Sequence, residues 1–337
     1  MRNSGTAIQV LGLTKYYGKL LAVDRLSFEV NSGEVFGFLG PNAAGKSSTV
    51  RILTTLLAPT YGTALVNGYD VVDQRYQAKR QIGYVPEESN VYTELSGLEN
   101  LLFTAKLYCV PRRERERRAL ELLDLFALRP KQDAKVRLYS KGMQRRLVVA
   151  MALIHRPAVL FLDEPLIGLD VHCSQLIKGE IRRLSAEGTT VFLTTHQIEV
   201  ANQLCERVAI IDEGQFAAID TPERLKHAFA SVQSVEVALD GGDPEPQAGL
   251  EALPGVTEAV KQGDKMRLYT AEPSALLEEV MIYAQARGLR ITSLSTLGPS
   301  LEDVFVAVTG RKLGTARRKF HRPECRTCEM RDMFGTH

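Results

Sequence analysis

The sequence predicts an α/β fold built on a parallel sheet, followed by a small α+β domain. Two observations carry the expectation. The first is Gly40-Pro41-Asn42-Ala43-Ala44-Gly45-Lys46-Ser47, a G-x-x-x-x-G-K-S pattern. It lies between a short apolar run, Glu34 to Leu39, and a helical repeat from Gly45 that sets Val50, Leu53, Thr54 and Leu57 on one face. The second is a pair of apolar runs, Val159 to Leu162 and Thr190 to Thr194, that end in polar, chemically able residues. Strands that are apolar on both faces belong inside parallel sheets, and ligands of such sheets bind beyond the strands' carboxyl ends.

The bulk numbers bound the reading. A chain of 337 residues is long enough for two domains, and 45% hydrophobic residues supply each with a core. The net charge of +2 argues against nucleic acid as the main partner. Five cysteines, scattered apart from one late pair, form no disulfide framework and fit a reducing, cytoplasmic setting. The N-terminus lacks the apolar core of a signal peptide, and no apolar run is long enough to span a bilayer: the stretch from Leu147 to Ile154 ends at His155-Arg156. Work at a membrane would therefore require docking onto something that spans it.

In chain order, Ala7 to Leu13 and Leu20 to Val30 alternate as half-exposed strands around the turn Tyr17-Gly18-Lys19. Tyr17 reads either as a turn aromatic or as a stacking platform for a purine just upstream of the glycine loop. In that loop, slim glycines let successive amides point at one anion, Lys46 adds a cation for the β- and γ-phosphates, and Ser47 offers a hydroxyl to Mg²⁺. Tyr61 to Asn67 is a strand and Val72 to Arg80 a short polar helix. The strand Ile82 to Val85 stops at Pro86, which forces an extended exit and brings out Glu87 and Glu88. Helices follow from Ser96 to Tyr108 and from Arg112 to Leu128; the mixed charges of Arg112 to Arg118 read as a solvated face. Ser140 stands where an N-cap would, before a helix from Met143 to Leu153, and the same place reads as a second anion site.

The run Val159 to Leu162 ends in Asp163 and Glu164, aimed at the same sheet edge as the glycine loop. Two adjacent acids divide the work: one holds Mg²⁺ through water, the other orients and polarises an attacking water. Gly168-Leu169-Asp170 leads into a helix from Cys173 to Glu187, and His196 stands just past the strand Thr190 to Thr194, on the same edge as Lys46 and Glu164, as a phosphate contact. Arg207 to Asp212 and Gln215 to Ile219 pair across Glu213-Gly214, and Pro222 to Phe229 is helical.

Over about residues 7 to 230 the chain resembles the nucleotide-binding subunit of ATP-binding cassette (ABC) transporters. Gly40 to Ser47, extended to Ser48, matches the Walker A loop; Leu160 to Glu164 matches the Walker B strand with its glutamate. Ser140-Lys141-Gly142-Met143-Gln144 looks like a variant of the family signature, Asp170 matches the D-loop and His196 the switch histidine. Tyr17 then matches the adenine-stacking aromatic. Pro299-Ser300-Leu301-Glu302-Asp303-Val304-Phe305 with Thr309-Gly310-Arg311 is similar to exporters of the daunorubicin-resistance type, which carry an appended domain. Locally, Ser300 and Asp303 have capping-box spacing ahead of an amphipathic helix that staples that domain.

The resemblance implies a P-loop NTPase cassette: a RecA-like core, an antiparallel β subdomain and a helical signature subdomain over residues 1–230. An α+β accessory domain (231–310) and a basic, disordered tail (311–337) follow. It implies an ATPase with ATP and Mg²⁺ as cofactors. Glu164, His196 and Lys46 are the expected catalytic residues. Tyr17, Gly40 to Ser48, Ser140, Gly142 and Asp170 are expected at the nucleotide, and Ser47, Glu87 and Asp163 at the metal. Two cassettes would pack head to tail, each signature closing on the other's ATP, and drive a separate integral-membrane permease from the cytoplasmic face; the permease would dock near Val91-Tyr92. The alternative is a soluble or regulatory cassette ATPase not coupled to transport.

Three residues depart from the family pattern. Ala43 stands where the loop usually has Gly, at a cost of about 1 kcal/mol if φ is positive there. Lys141 takes the middle place of Ser-Gly-Gly. Glu87 replaces the Q-loop glutamine and brings a negative charge near the γ-phosphate.

In the last third, Ser234 to Asp240, Val256 to Gln262, Lys265 to Thr270 and Leu289 to Leu294 read as strands, Pro273 to Arg287 as a helix and Gly241 to Pro246 as a turn-rich loop. No chemistry is legible there. Arg317-Arg318-Lys319 reads as solvated tail, and Cys325-x-x-Cys328 with His321 is half a zinc site without its other half.

Overall fold

The structure, a computed structural model, describes residues 5–88, 90–229, 233–240 and 246–310. The basic tail, with Arg317 to Lys319, His321, Cys325 and Cys328, lies outside the described residues, as does most of the loop from Gly241. The chain divides into two compact units, Met1–Pro222 and Glu223–His337.

The first unit opens with β1 (Thr6–Tyr17), β2 (Leu20–Asn31), β3 (Val35–Leu39) and α1 (Lys46–Leu53). Then come β4 (Tyr61–Val66), β5 (Tyr69–Asp70), α2 (Arg75–Gln81), β6 (Ile82–Val85), α3 (Gly97–Leu107), α4 (Arg112–Leu125) and α5 (Lys141–Leu153). It continues with β7 (Val159–Asp163), α6 (Val171–Ala186), β8 (Thr190–Thr195), α7 (Ile198–Leu204), β9 (Arg207–Asp212) and β10 (Gln215–Asp220). One sheet is antiparallel, in the order β2-β1-β4-β5; the other has the order β10-β9-β3-β8-β7-β6. In the second sheet every pair is parallel except β9–β10, which closes the edge as a hairpin. The apolar runs read from the sequence are its central strands: β3, β7 and β8 are buried at every position.

The two sheets meet through aromatic rings. Phe28 of β2 stacks on Phe36 of β3 with centroids 5.7 Å apart and lies 6.2 Å from Phe192 of β8. Val50, Ile52 and Leu53 of α1 join the same core. Here α1 ends at Leu53, earlier than the periodicity predicts, and Leu57 reaches the core from the turn beyond it. The expected helix from Val72 begins only at Arg75, because the Asp70 carboxylate accepts from the amides of Val72 and Asp73 and holds a turn there.

Helices α3 to α5 make the helical part. A capping box between Ser96 and Glu99 starts α3. One expectation fails on α4: Arg118 is buried, not part of a solvated face. Its guanidinium donates to the carbonyls of Leu153 (3.0 Å) and Ile154 (2.7 Å) at the end of α5, where Leu153 O also accepts from the Arg156 amide at 3.0 Å.

The second unit begins within α8 (Pro222–Ala228) and holds β11 (Gln233–Asp240), α9 (Pro246–Glu251), β12 (Glu258–Gln262), β13 (Lys265–Thr270), α10 (Pro273–Ala286), β14 (Arg290–Leu297) and α11 (Leu301–Thr309). Its antiparallel sheet runs β12-β13-β11-β14, a split β-α-β arrangement over a core of Val235, Val237, Leu250, Leu268, Leu276 and Val280. The helix α9 begins where the sequence reading ends a loop, at Pro246, a residue suited to a helix's first turn. Ser300 and Asp303 form the expected capping box of α11. Asp303 is also buried and paired with Arg267 at 2.8 Å.

Among the described residues, no helix is long and apolar enough to cross a membrane.

Candidate active site

Gly40 follows β3 and Gly45 caps α1, so the glycine loop hangs from the carboxyl edge of the parallel sheet. Gly45 has φ +103°, and a Cβ there would meet the Ala22 carbonyl oxygen at 2.5 Å, so no other residue fits. Ala43 adopts φ 62°, the left-handed conformation in which an alanine is strained. Lys46 starts α1 and is buried; its Nζ donates to the carbonyls of Gly40 (2.6 Å) and Pro41 (3.0 Å). Burial pulls the Lys46 pKa below its ordinary value, against the opposing pull of the Glu164, Asp163 and Glu87 carboxylates.

Glu164 follows β7 in a left-handed conformation, φ 46°, with its amide donating to Thr194 Oγ1 at 3.2 Å. Its carboxyl Oε1 stands 2.8 Å from His196 Nδ1 and 3.9 Å from Lys46 Nζ. A carboxylate only accepts, so Nδ1 carries the proton of that bond. Asp163 Oδ1 accepts from the Thr194 hydroxyl at 2.5 Å, which fixes the preceding acid. Behind them, burial and the Asp163 charge push the Tyr84 phenol up to about 12.

Lys46, Glu164 and His196 border one cleft of about 320 Å³, lined also by Tyr17, Pro41, Asn42, Ala43, Gly45, Ser47, Ser48 and Glu87, with Leu20, Ala22 and Ile167. Tyr17 is exposed at the end of β1; its hydroxyl lies 3.3 Å from Ser48 Oγ and its ring carries Lys15 Nζ at 5.5 Å. Gly40, Ala44 and Asp163 are buried and are not among the lining residues. Ser140, Gly142 and Asp170 are not in it. Ser140 is the N-cap of α5, accepting from the Met143 amide, and Asp170 the N-cap of α6, accepting from Cys173 at 2.7 Å. A Cβ on Gly142 would lie 3.0 Å from Cys173 Sγ, so the starts of α5 and α6 are in close contact.

The oxygens of Ser47, Asp163 and Glu87 are hard donors of the kind Mg²⁺ takes. Among the described residues no three His, Cys, Asp or Glu side chains converge to cage a metal alone.

The sequence reading missed Arg145 and Thr194. Arg145 is buried at 4% exposure and donates five hydrogen bonds, all to main-chain carbonyls. The available signal was an arginine on the same stripe of α5 as Val148, Val149 and Ala152.

Residues 23–167 match the family described as ABC transporter, and residues 221–309 match the ATP-binding protein DrrA1-3-like, C-terminal domain. The Nod factor export ATP-binding protein I of Rhizobium sp. (strain N33) is 38% identical over 92% of this chain and 99% of its own. The linearmycin resistance ATP-binding protein LnrL of Bacillus subtilis (strain 168) is 32% identical over 91% of this chain and 99% of its own. Among solved structures, an ATP-binding subunit of an ABC transporter aligns with TM-score 0.63 at 29% identity, over 66% of this chain and 93% of that one. A dimeric ATP-binding cassette in a post-hydrolysis state with ADP and Pi aligns with TM-score 0.59 at 26% identity, over 64% of this chain and 98% of that one.

Proposed function

The chain belongs to the ATP-binding subunits of ABC transporters, and from that premise we propose that it hydrolyses ATP in the cleft above Gly40 to Ser48, with Glu164 as the base. One observation carries the assignment: the Glu164 carboxyl is held between His196 Nδ1 (2.8 Å) and Lys46 Nζ (3.9 Å) on the wall of that cleft. In this reading the amides of the loop and Lys46 receive the β- and γ-phosphates, and Tyr17 stacks on the adenine. Glu164 orients a water and takes its proton as the water oxygen bonds to the γ-phosphorus; the bond to the β-phosphate oxygen breaks, leaving ADP and phosphate. His196 steadies Glu164 through Nδ1 and reaches a phosphate oxygen only if Nε2 is protonated as well. Ser47, with Asp163 and Glu87 through water, would hold Mg²⁺, which neutralises charge on the transferred phosphoryl.

In the proposed assembly the cassette spans residues 1–230 and the accessory domain 231–310. Two cassettes face each other, and Ser140, Gly142 and Asp170 of one copy serve the nucleotide of the other. Support comes from the dimeric state of a solved relative and from the position of these residues off the chain's own cleft. The names of the relatives, Nod factor export and linearmycin resistance, favour an exporter. The subunit then works peripherally at the cytoplasmic face of the membrane on a separate permease. Tyr92, 49% exposed with its ring 4.9 Å from that of Phe103, offers a place for the permease to dock.

The test is Glu164→Gln in the purified protein. Equilibrium binding of ATP is expected to persist while phosphate release falls by about 100-fold or more. Steady-state hydrolysis at the wild-type rate would remove Glu164 from the role of base.

A further inference from the structure

Arg145 lies outside the lining of the cleft, yet it is the most fully engaged cation near it. Its Nε donates to Pro165 O at 3.1 Å. One terminal nitrogen donates to Pro86 O and to Glu87 O at 3.1 Å, and the other to Asp163 O at 2.9 Å and Glu164 O at 3.1 Å. All five guanidinium protons are thus used, none on a carboxylate. The carbonyls come from two separate segments: the exit of β6, which carries Glu87, and the exit of β7, which carries Asp163 and Glu164.

A buried guanidinium that spends every donor on backbone is costly to desolvate. Its rigid planar fork can hold two segments in a fixed relation, which a lysine's single ammonium cannot. We propose that Arg145 is a positioning residue for hydrolysis: it fixes the Glu87 segment against the Asp163–Glu164 segment and so sets where these carboxylates stand relative to Lys46. Because Arg145 belongs to α5, whose first residue follows Ser140, the same strut ties the start of that helix to both segments. The proposal rests on ATP hydrolysis at this cleft.

The experiment compares full-length wild type, Arg145→Lys and Arg146→Lys in steady-state MgATP hydrolysis and thermal melting. Arg146 is the control: it also ties main-chain carbonyls, Phe126 O at 2.8 Å and Gly142 O at 3.4 Å, but none of the two segments. Arg145→Lys is expected to lower kcat at least tenfold while KM for ATP stays within about twofold, because a displaced base slows chemistry more than it weakens binding. Arg146→Lys, at a similar melting temperature, keeps kcat. Unchanged kcat in Arg145→Lys, a change confined to KM, or an equal loss in Arg146→Lys overturns the proposal. If Arg145→Lys does not fold, Arg145→Gln takes its place; failure of both with Arg146→Lys folded assigns Arg145 a plainly structural part and also overturns it. Absence of hydrolysis and of MgATP binding in the wild type would instead defeat the underlying function.

Discussion

Two residues put local physical chemistry to a test. Ala43 pays for its φ of 62° with about 1–2 kcal/mol of left-handed strain. Glycine removes that strain but returns about 0.4–1 kcal/mol of conformational entropy to the unfolded chain. Ala43→Gly is therefore expected to stabilise the first unit by about 0.5–1 kcal/mol, read as a higher urea midpoint; a lower midpoint contradicts the strain. His155 is the second case. Its Nε2 meets Ile82 O at 3.0 Å, its ring stacks on Tyr108 at 3.8 Å, and its buried Nδ1 has no hydrogen-bond partner. Burial therefore pushes its pKa from 6.5 to about 4. Between those values the unfolded chain binds the extra proton, so the contribution of neutral His155 is whole above pH 6.5 and is lost as pH falls toward 4. It amounts to about 3 kcal/mol over that window. His155→Gln should flatten the acid side of a stability-against-pH curve there; an identical curve would show that the imidazole is not the group titrating.

At the scale of elements, the capping box of α11 does more than start a helix. Asp303 Oδ2 accepts from the Ser300 amide (2.7 Å) and hydroxyl (2.7 Å) and from Arg267 at 2.8 Å, and Oδ1 accepts from Tyr269 at 2.8 Å. One carboxylate thus joins a helix start to β13, and through Arg267 and Ser234 to β11. Asp303→Ala leaves a buried guanidinium unpaired, at about 3–5 kcal/mol. Hydrogen exchange should then speed up at the β11 and β13 amides while those of β3, β7 and β8 stay protected; equal protection in both sets would deny the staple. This cap was legible in the sequence because its spacing is local. So were the buried strands, whose composition reports burial on both faces, and the glycine loop, whose pattern is contiguous. Arg118 and Arg145 were not legible as interior residues, because what holds them is carbonyl oxygens at the ends of other elements. No pattern in α4 or α5 alone names those partners. The start of α9 was missed for a nearer reason: Gly, Asp and Pro at 241–246 signal a turn, and the helix hides in the last of them.

At the scale of the whole molecule, the cleft is lined by its own loop, Tyr17, Glu87, Glu164 and His196, and not by the starts of α5 and α6. Apolar residues crowd the starts of α5 and α6: Leu138 is 69% exposed and Val171 is 79% exposed. A monomer leaves such groups in water at a cost that burial against another surface would recover. The start of α5 is positive by its backbone dipole, has no acid in its first turn, and begins with exposed Lys141. An anion presented by a second copy is the partner this end favours, and bound ATP supplies one in each cleft. Glu164→Gln holding ATP is therefore expected to sediment as a dimer, and with ADP, which lacks the γ-phosphate, as a monomer. Lys141→Glu in that background reverses the charge at the helix start. It should abolish the ATP-dependent dimer while leaving ATP affinity of the separate chain within about twofold, since Lys141 is not part of the chain's own cleft. A dimer that forms equally well with ADP, or one indifferent to Lys141→Glu, would mean that the two copies meet through some other surface.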